Sequence, residues 1–183
     1  MEQVWRSVRP LLPLIPLGLF LIAVAIVLLA LVRVRRETPR RTAMYGACLD
    51  VTLAASIISV LILTLPSSLD APRTVNLVPF SELEHAVGDF GVSQLLGNAL
   101  MFVPFGFLAP LRWPRLDSLV GVSLASAVFS IVIETLQFVL PTGRQSSLTD
   151  VIMNVIGALV GYALMLSMRV VGRRRWDGRH VET

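Results

Sequence analysis

The chain has 183 residues, 55% hydrophobic and only 15% charged, with a mean hydropathy of +0.75; a soluble domain of this length is excluded, and one membrane domain is the natural count. Its 16 basic residues, all arginine, outnumber 12 acidic ones and give a formal charge of +4 and a pI near 10.5. They cluster beside apolar runs, as topology signals and anionic-lipid contacts do, which argues against nucleic-acid binding, and the single Cys48 excludes an intrachain disulfide and a thiolate metal site.

Leu11 to Val32 carries no charge and is long enough, at about 1.5 Å rise per residue, to cross a hydrocarbon core about 30 Å thick. Arg6 and Arg9 precede it as in a signal peptide. The run is too long for one, however, and ends in Arg33-Val34-Arg35-Arg36 without a cleavage site, so a retained span is expected. Ala43 to Leu65 is the second span. Asp50 lies in it, about 13 Å of helical rise beyond Arg41, and needs a partner; pairing with an arginine or a polar helix face is expected over an ion or proton role.

Pro66 to Gln94 reads as a loop. Within it Ser81-Glu82-Leu83-Glu84 fits a capping box and predicts a short helix to about Gly88, on which His85 is incidental. Leu95 to Leu111 is the third span, with Pro104 expected to kink it. Leu116 to Leu140 contains the fourth, and Val151 to Val171 is the fifth. The tail from Gly172 carries Arg173, Arg174, Arg175 and Arg179. The fold class is therefore all-α: a polytopic membrane bundle of about five transmembrane helices with a short extracytoplasmic loop helix, divided into 1–70, 71–171 and a basic tail 172–183. Arginine is dense in residues 33–42 and from Arg169 onward, and sparse in 66–94 and 141–150. This predicts the N-terminus outside and the C-terminus in the cytoplasm.

Chemistry is best sought between Ile131 and Gly161. A carboxylate in membrane-grade sequence costs about 3 kcal/mol on insertion scales, so Glu134 must face protein or a wet cavity. On one helix Ser123, Ala127, Ser130, Glu134 and Gln137 share a stripe; on the next Asp150, Asn154, Gly157 and Gly161 share another, the last two as G-x-x-x-G. These stripes are expected to face each other. With this topology Glu134, Asn154 and Asn98 fall within about 6–9 Å of the outer ends of their spans. Arg144, Asp150 and Asn76 would sit just above them, roofed by Phe80 and the loop helix.

At these residues the sequence resembles the VanZ-like family. Ile133-Glu134-Thr135-Leu136-Gln137, Gly143-Arg144 and Asp150 to Tyr162 match its C-terminal half; Asn76-Leu77-Val78-Pro79-Phe80, Gly97-Asn98 and Phe102-Val103-Pro104-Phe105-Gly106 match earlier blocks. The resemblance covers about residues 76–162, so 71–171 is read as the VanZ-like domain. It implies an integral membrane protein of the cell envelope and a link to teicoplanin tolerance. The family's loop between the arginine and the aspartate carries more acids than Gln145-Ser146-Ser147-Leu148-Thr149, which has none, so no metal is expected.

Two functions follow. In the first, Asn76, Phe80, Asn98, Glu134, Gln137, Arg144, Asp150 and Asn154 form an outward-facing pocket that binds or shields a membrane lipid or lipid-linked cell-wall precursor, or excludes a glycopeptide antibiotic from it. In the second, Glu134 is a general acid or base on a lipid head group with Asp150 as second carboxylate. No nucleophile or cofactor motif accompanies the carboxylates, so binding is the better reading and no cofactor is expected. Oligomeric state is left open by the sequence.

Overall fold

Backbone groups in hydrocarbon have no water to bond, so an apolar run closes its own hydrogen bonds as a helix. The computed structural model describes residues 14–36, 38–64, 75–80, 89–139 and 146–179, and nearly all of these are helical: α1 Leu14–Arg35, α2 Arg40–Thr64, α3 Asp89–Arg112, α4 Leu119–Val139 and α5 Leu148–Arg179. Each holds a stretch long and apolar enough to cross a membrane: Pro16–Arg35, Arg40–Thr64, Val92–Arg112, Leu119–Val139 and Leu148–Gly172. The architecture is the all-α polytopic membrane bundle that the sequence predicts. The expected loop helix, with Ser81, Glu84 and His85, lies outside the described residues, as does Arg144.

Helix ends depart from the apolar runs where polar chemistry supports extra turns. α1 continues to Arg35, because cations near a helix C-terminus are favoured by the macrodipole. α3 begins at Asp89, so the preceding connection is shorter than 66–94, and it continues through Pro104 and Pro110. It stops at Arg112 because Trp113 precedes Pro114 and is held extended at φ −121°, ψ 97°. A 3-10 turn, Pro114–Leu116, follows. Ser118 then caps α4, its Oγ accepting the Gly121 amide at 2.9 Å. α5 runs past Val171 to Arg179, so residues 172–179, expected as a tail, are its last turns.

The chain divides into two compact units, Met1–Ala55 and Ser56–Thr183. In the first, the turn between α1 and α2 is tied by amides of Arg36 and Thr38 to the Arg33 carbonyl at 3.1 and 3.2 Å. Asp50 pairs there with Arg33, each side chain about a quarter exposed (25% and 27%). This is the arginine partner that its depth demands. The Arg33 guanidinium passes over Gly46, where an added Cβ would lie 2.5 Å from Arg33 Nη1.

In the second unit α3 and α5 pack most closely, and α4 lies against both. The contact is backbone to backbone: a Cβ at Gly157 would fall 1.8 Å from the Ala99 carbonyl oxygen, at Gly161 2.0 Å from that of Val103, and at Gly106 1.9 Å from that of Ala158. The G-x-x-x-G face of α5 thus meets α3, not α4. Gly106 on α3 supplies the matching gap that makes this the tighter seam, which is why the expected facing of the two stripes holds only in part. Phe102, Phe105 and Phe129 fill the space between α3 and α4, with ring centroids 5.3 to 6.2 Å apart.

Candidate functional site

The α5 N-terminus organises one end of this unit. Ser147 is its N-cap, its Oγ accepting the Thr149 amide at 3.1 Å, and Asp150 lies in the first turn, where negative charge is favoured. Ser146 and Ser147 also form strand β2, which pairs in parallel with β1, Val75–Asn76; Val75 is opposite Ser146 and Asn76 opposite Ser147. This pairing brings the segment before α3 against the start of α5. Asn76 Oδ1 accepts the Val78 amide at 3.1 Å and so turns the chain. Phe80 sits at φ 60°, in the left-handed region that bulky residues avoid, and its amide donates to Thr149 Oγ1 at 2.9 Å. Thr149 is fully buried.

Beneath this lid three helices present polar side chains. Asn98 of α3 donates through Nδ2 to Asp150 Oδ1, and the two residues are 6% and 7% exposed. Glu134 of α4 accepts the Ser147 amide at 3.0 Å. Asn154 of α5, 4% exposed, donates through Nδ2 to Ser130 Oγ of α4 at 2.8 Å. Gln137, also buried, reaches the Thr64 carbonyl of α2 at 2.9 Å. Asn98, Glu134 and Asn154 lie six, five and six residues inside the ends of their spans. All three are therefore about 8–9 Å deep along their helices at the same end of the bundle.

Asn76, Phe80, Asn98, Glu134, Gln137, Asp150 and Asn154 are thus gathered at one end, joined partly through each other and partly through residues that the sequence reading passed over. Those are Ser147, Thr149 and Thr64, whereas Ser130 belongs to the stripe expected on α4. The S-L-T-D run at 147–150 is a cap signature that signals the first two. The buried stripe of α4 is Val122, Ser126, Ser130, Ile133 and Gln137, rotated from the one through Ser123 and Ala127, and it leaves Glu134 half-buried at its edge. Among the described residues no three of His, Cys, Asp and Glu converge as a metal set.

The opposite end has its own cluster. Asp117, after the 3-10 turn, accepts from Arg169 Nη1 at 2.6 Å and from the Tyr162 hydroxyl at 3.2 Å. The Arg169 hydrogen bond, outweighing partial desolvation, holds the Asp117 carboxyl below its ordinary value.

A family model described as VanZ/LLP1 matches residues 50–169, well over half of the chain. The match begins at Asp50 in α2, upstream of the motifs that start at Asn76. No curated protein and no solved structure matches the chain.

Proposed function

The chain belongs to the VanZ/LLP1 family, and from that premise we propose that this multi-pass membrane protein uses the polar end of α3, α4 and α5 to bind or shield the head group of a membrane lipid or lipid-linked cell-wall precursor. One observation carries the reading: three spans place buried Asn98 and Asn154 and half-buried Glu134 at one depth, around the capped start of α5. Structural polar contacts formed independently would be spread along the spans. A membrane protein that needed only stability would fill such positions with apolar residues, since paired buried polar groups at best offset their desolvation. Shielding a precursor in this way would give tolerance to a glycopeptide such as teicoplanin. The hydrogen bonds that engage Glu134 and Asp150 support a role in shaping the site over proton transfer.

Orientation belongs to the same proposal. The arginine-rich 33–42 segment and the end of α5 face the cytoplasm, and the polar end faces outward. A phosphatase fused after residue 183 is then inactive. The deciding experiment is native mass spectrometry of the full chain taken from its membrane. Wild type retains a lipid or precursor, Asp150→Leu loses it, and Glu134→Gln keeps it. A wild-type protein that carries nothing refutes the reading, and an active C-terminal phosphatase overturns the orientation.

A further inference from the structure

Two buried side-chain atoms among the described residues lack a hydrogen-bond partner, Ser56 Oγ and Asn154 Oδ1. They are not equivalent. A serine hydroxyl on a helix turns at little cost to the carbonyl four residues earlier. A buried amide oxygen can only be met by a donor brought to it, and leaving it unmet is expensive. The neighbouring backbone cannot supply that donor, because the amides of α4 and α5 at this depth are spent on their own helices. Ser130 is already the acceptor for Asn154 Nδ2 at 2.8 Å, which turns Oδ1 away from that hydroxyl.

The surroundings favour donors as well. Asp150 lies one turn before Asn154 on the same face of α5, and Glu134 one turn after Ser130 on α4. Toward the membrane surface, therefore, the orphan oxygen is followed by two carboxylates. A phosphate would meet acceptors; a hydroxyl or an ammonium group would meet partners.

We propose that this site recognises the donor-bearing part of a lipid head group, an ammonium N–H or a hydroxyl, with Asn154 Oδ1 as the acceptor that discriminates. The inference rests on the head-group reading above and specifies which chemistry is read. It selects head groups by their N–H or O–H, not by their phosphate.

The test uses the full chain and an equimolar mixture of four dioleoyl lipids, with retained lipid measured by native mass spectrometry. Phosphatidylethanolamine and phosphatidylcholine share phosphate and net charge and differ in N–H donors. Phosphatidylglycerol and phosphatidylmethanol are both anionic and differ in hydroxyls. Wild type is expected to prefer the donor lipid about tenfold in at least one pair, which also tells ammonium from hydroxyl. Asn154→Leu should bring the preference close to one, and Asn154→Asp, which keeps an acceptor, should preserve it. Equal retention within both pairs, or a preference that survives Asn154→Leu, overturns the inference while head-group binding stands. Retention of none of the four also overturns the inference, and the head-group reading then stands or falls on what the protein taken from its own membrane carries. If Asn154→Leu does not fold, wild-type selectivity and the aspartate variant still decide.

Discussion

Gly157→Ala is the most exacting test of the packing that builds the site. The new Cβ would lie 1.8 Å from the Ala99 carbonyl oxygen and 2.6 Å from its carbon, whereas ordinary contact begins at 3.4 Å. The obstacle is backbone, so no rotamer change relieves it. α3 and α5 must part locally by about 1.6 Å, and a gap of even 0.5–1 Å forfeits a quarter to a half of the dispersion energy along the seam. Overpacking of this kind costs about 1–3 kcal/mol, and a rigid obstacle places it near 3; the better helix propensity of alanine returns about 0.5–1. The net loss of about 2 kcal/mol corresponds to a fall of roughly 4–8 °C in Tm for a chain of this size. Thermal unfolding in detergent, followed by tryptophan fluorescence, measures it. Gly97→Ala is the internal control, because nothing lies within 4 Å of a Cβ there and only the propensity gain applies. If Gly157→Ala melts at or above wild type, the backbone seam between α3 and α5 is wrong.

Three further perturbations probe separate contacts. Asn98→Ala and Asp150→Ala share one buried hydrogen bond, so their effects should fall short of additivity by about 1 kcal/mol in a double-mutant cycle; simple addition would show that the bond is not made. Arg33→Gln and Asp50→Asn should each cost roughly 1–3 kcal/mol, between the values for exposed and buried pairs because each side chain is about a quarter exposed, and the second change should cost little once the first is made. At the opposite end, the folded-state pKa of Asp117 is depressed, so its contribution is present above the unfolded value near 3.8 and is lost as pH falls through the folded value. The Tm difference between wild type and Asp117→Asn should accordingly be flat from neutral pH to about 4 and shrink below it. A difference that grows in acid contradicts the Arg169 contact.

The five spans were legible because hydrocarbon imposes one rule on every backbone group, and uncharged runs such as the one through Leu14–Val32 obey it visibly. Asp50 was legible for the same reason: its depth required a partner, and Arg33 is that partner. What sequence could not show is which neighbour a small-residue face selects. Gly157 and Gly161 fit any close helix, and the choice of α3 depends on Gly106 and Ala99 lying across from them. The rotation of the α4 stripe from Ser123 to Ser126 has a similar origin. Both positions are serines at helical spacing, and only the packing of Phe129 against Phe102 and Phe105 settles which is buried. The parallel pairing of Asn76 with Ser147 left no trace either, because two-residue strands have no periodicity to read.

The seam between α3 and α5 also decides which parts of the molecule can move. Helices in contact through their carbonyls cannot slide or rotate without breaking the whole interface, so Asn98 and Asp150 form a fixed wall whose spacing is set by glycine. The α4 side is held differently, by the packing of Phe129 on Phe102 and Phe105 and, at the polar end, by hydrogen bonds from Asn154 to Ser130 and from Ser147 to Glu134, while the turn at Phe80 is tied by one to Thr149. The neutral bonds are worth only about 0.5–1.5 kcal/mol net, the one to the Glu134 carboxylate about 1.5–3, and all re-form readily. If the proposed function holds, a lipid head group would enter by displacement of the Phe80 turn and the polar end of α4 against a stationary α3–α5 frame, in the manner of a hinged jaw closing on an anvil.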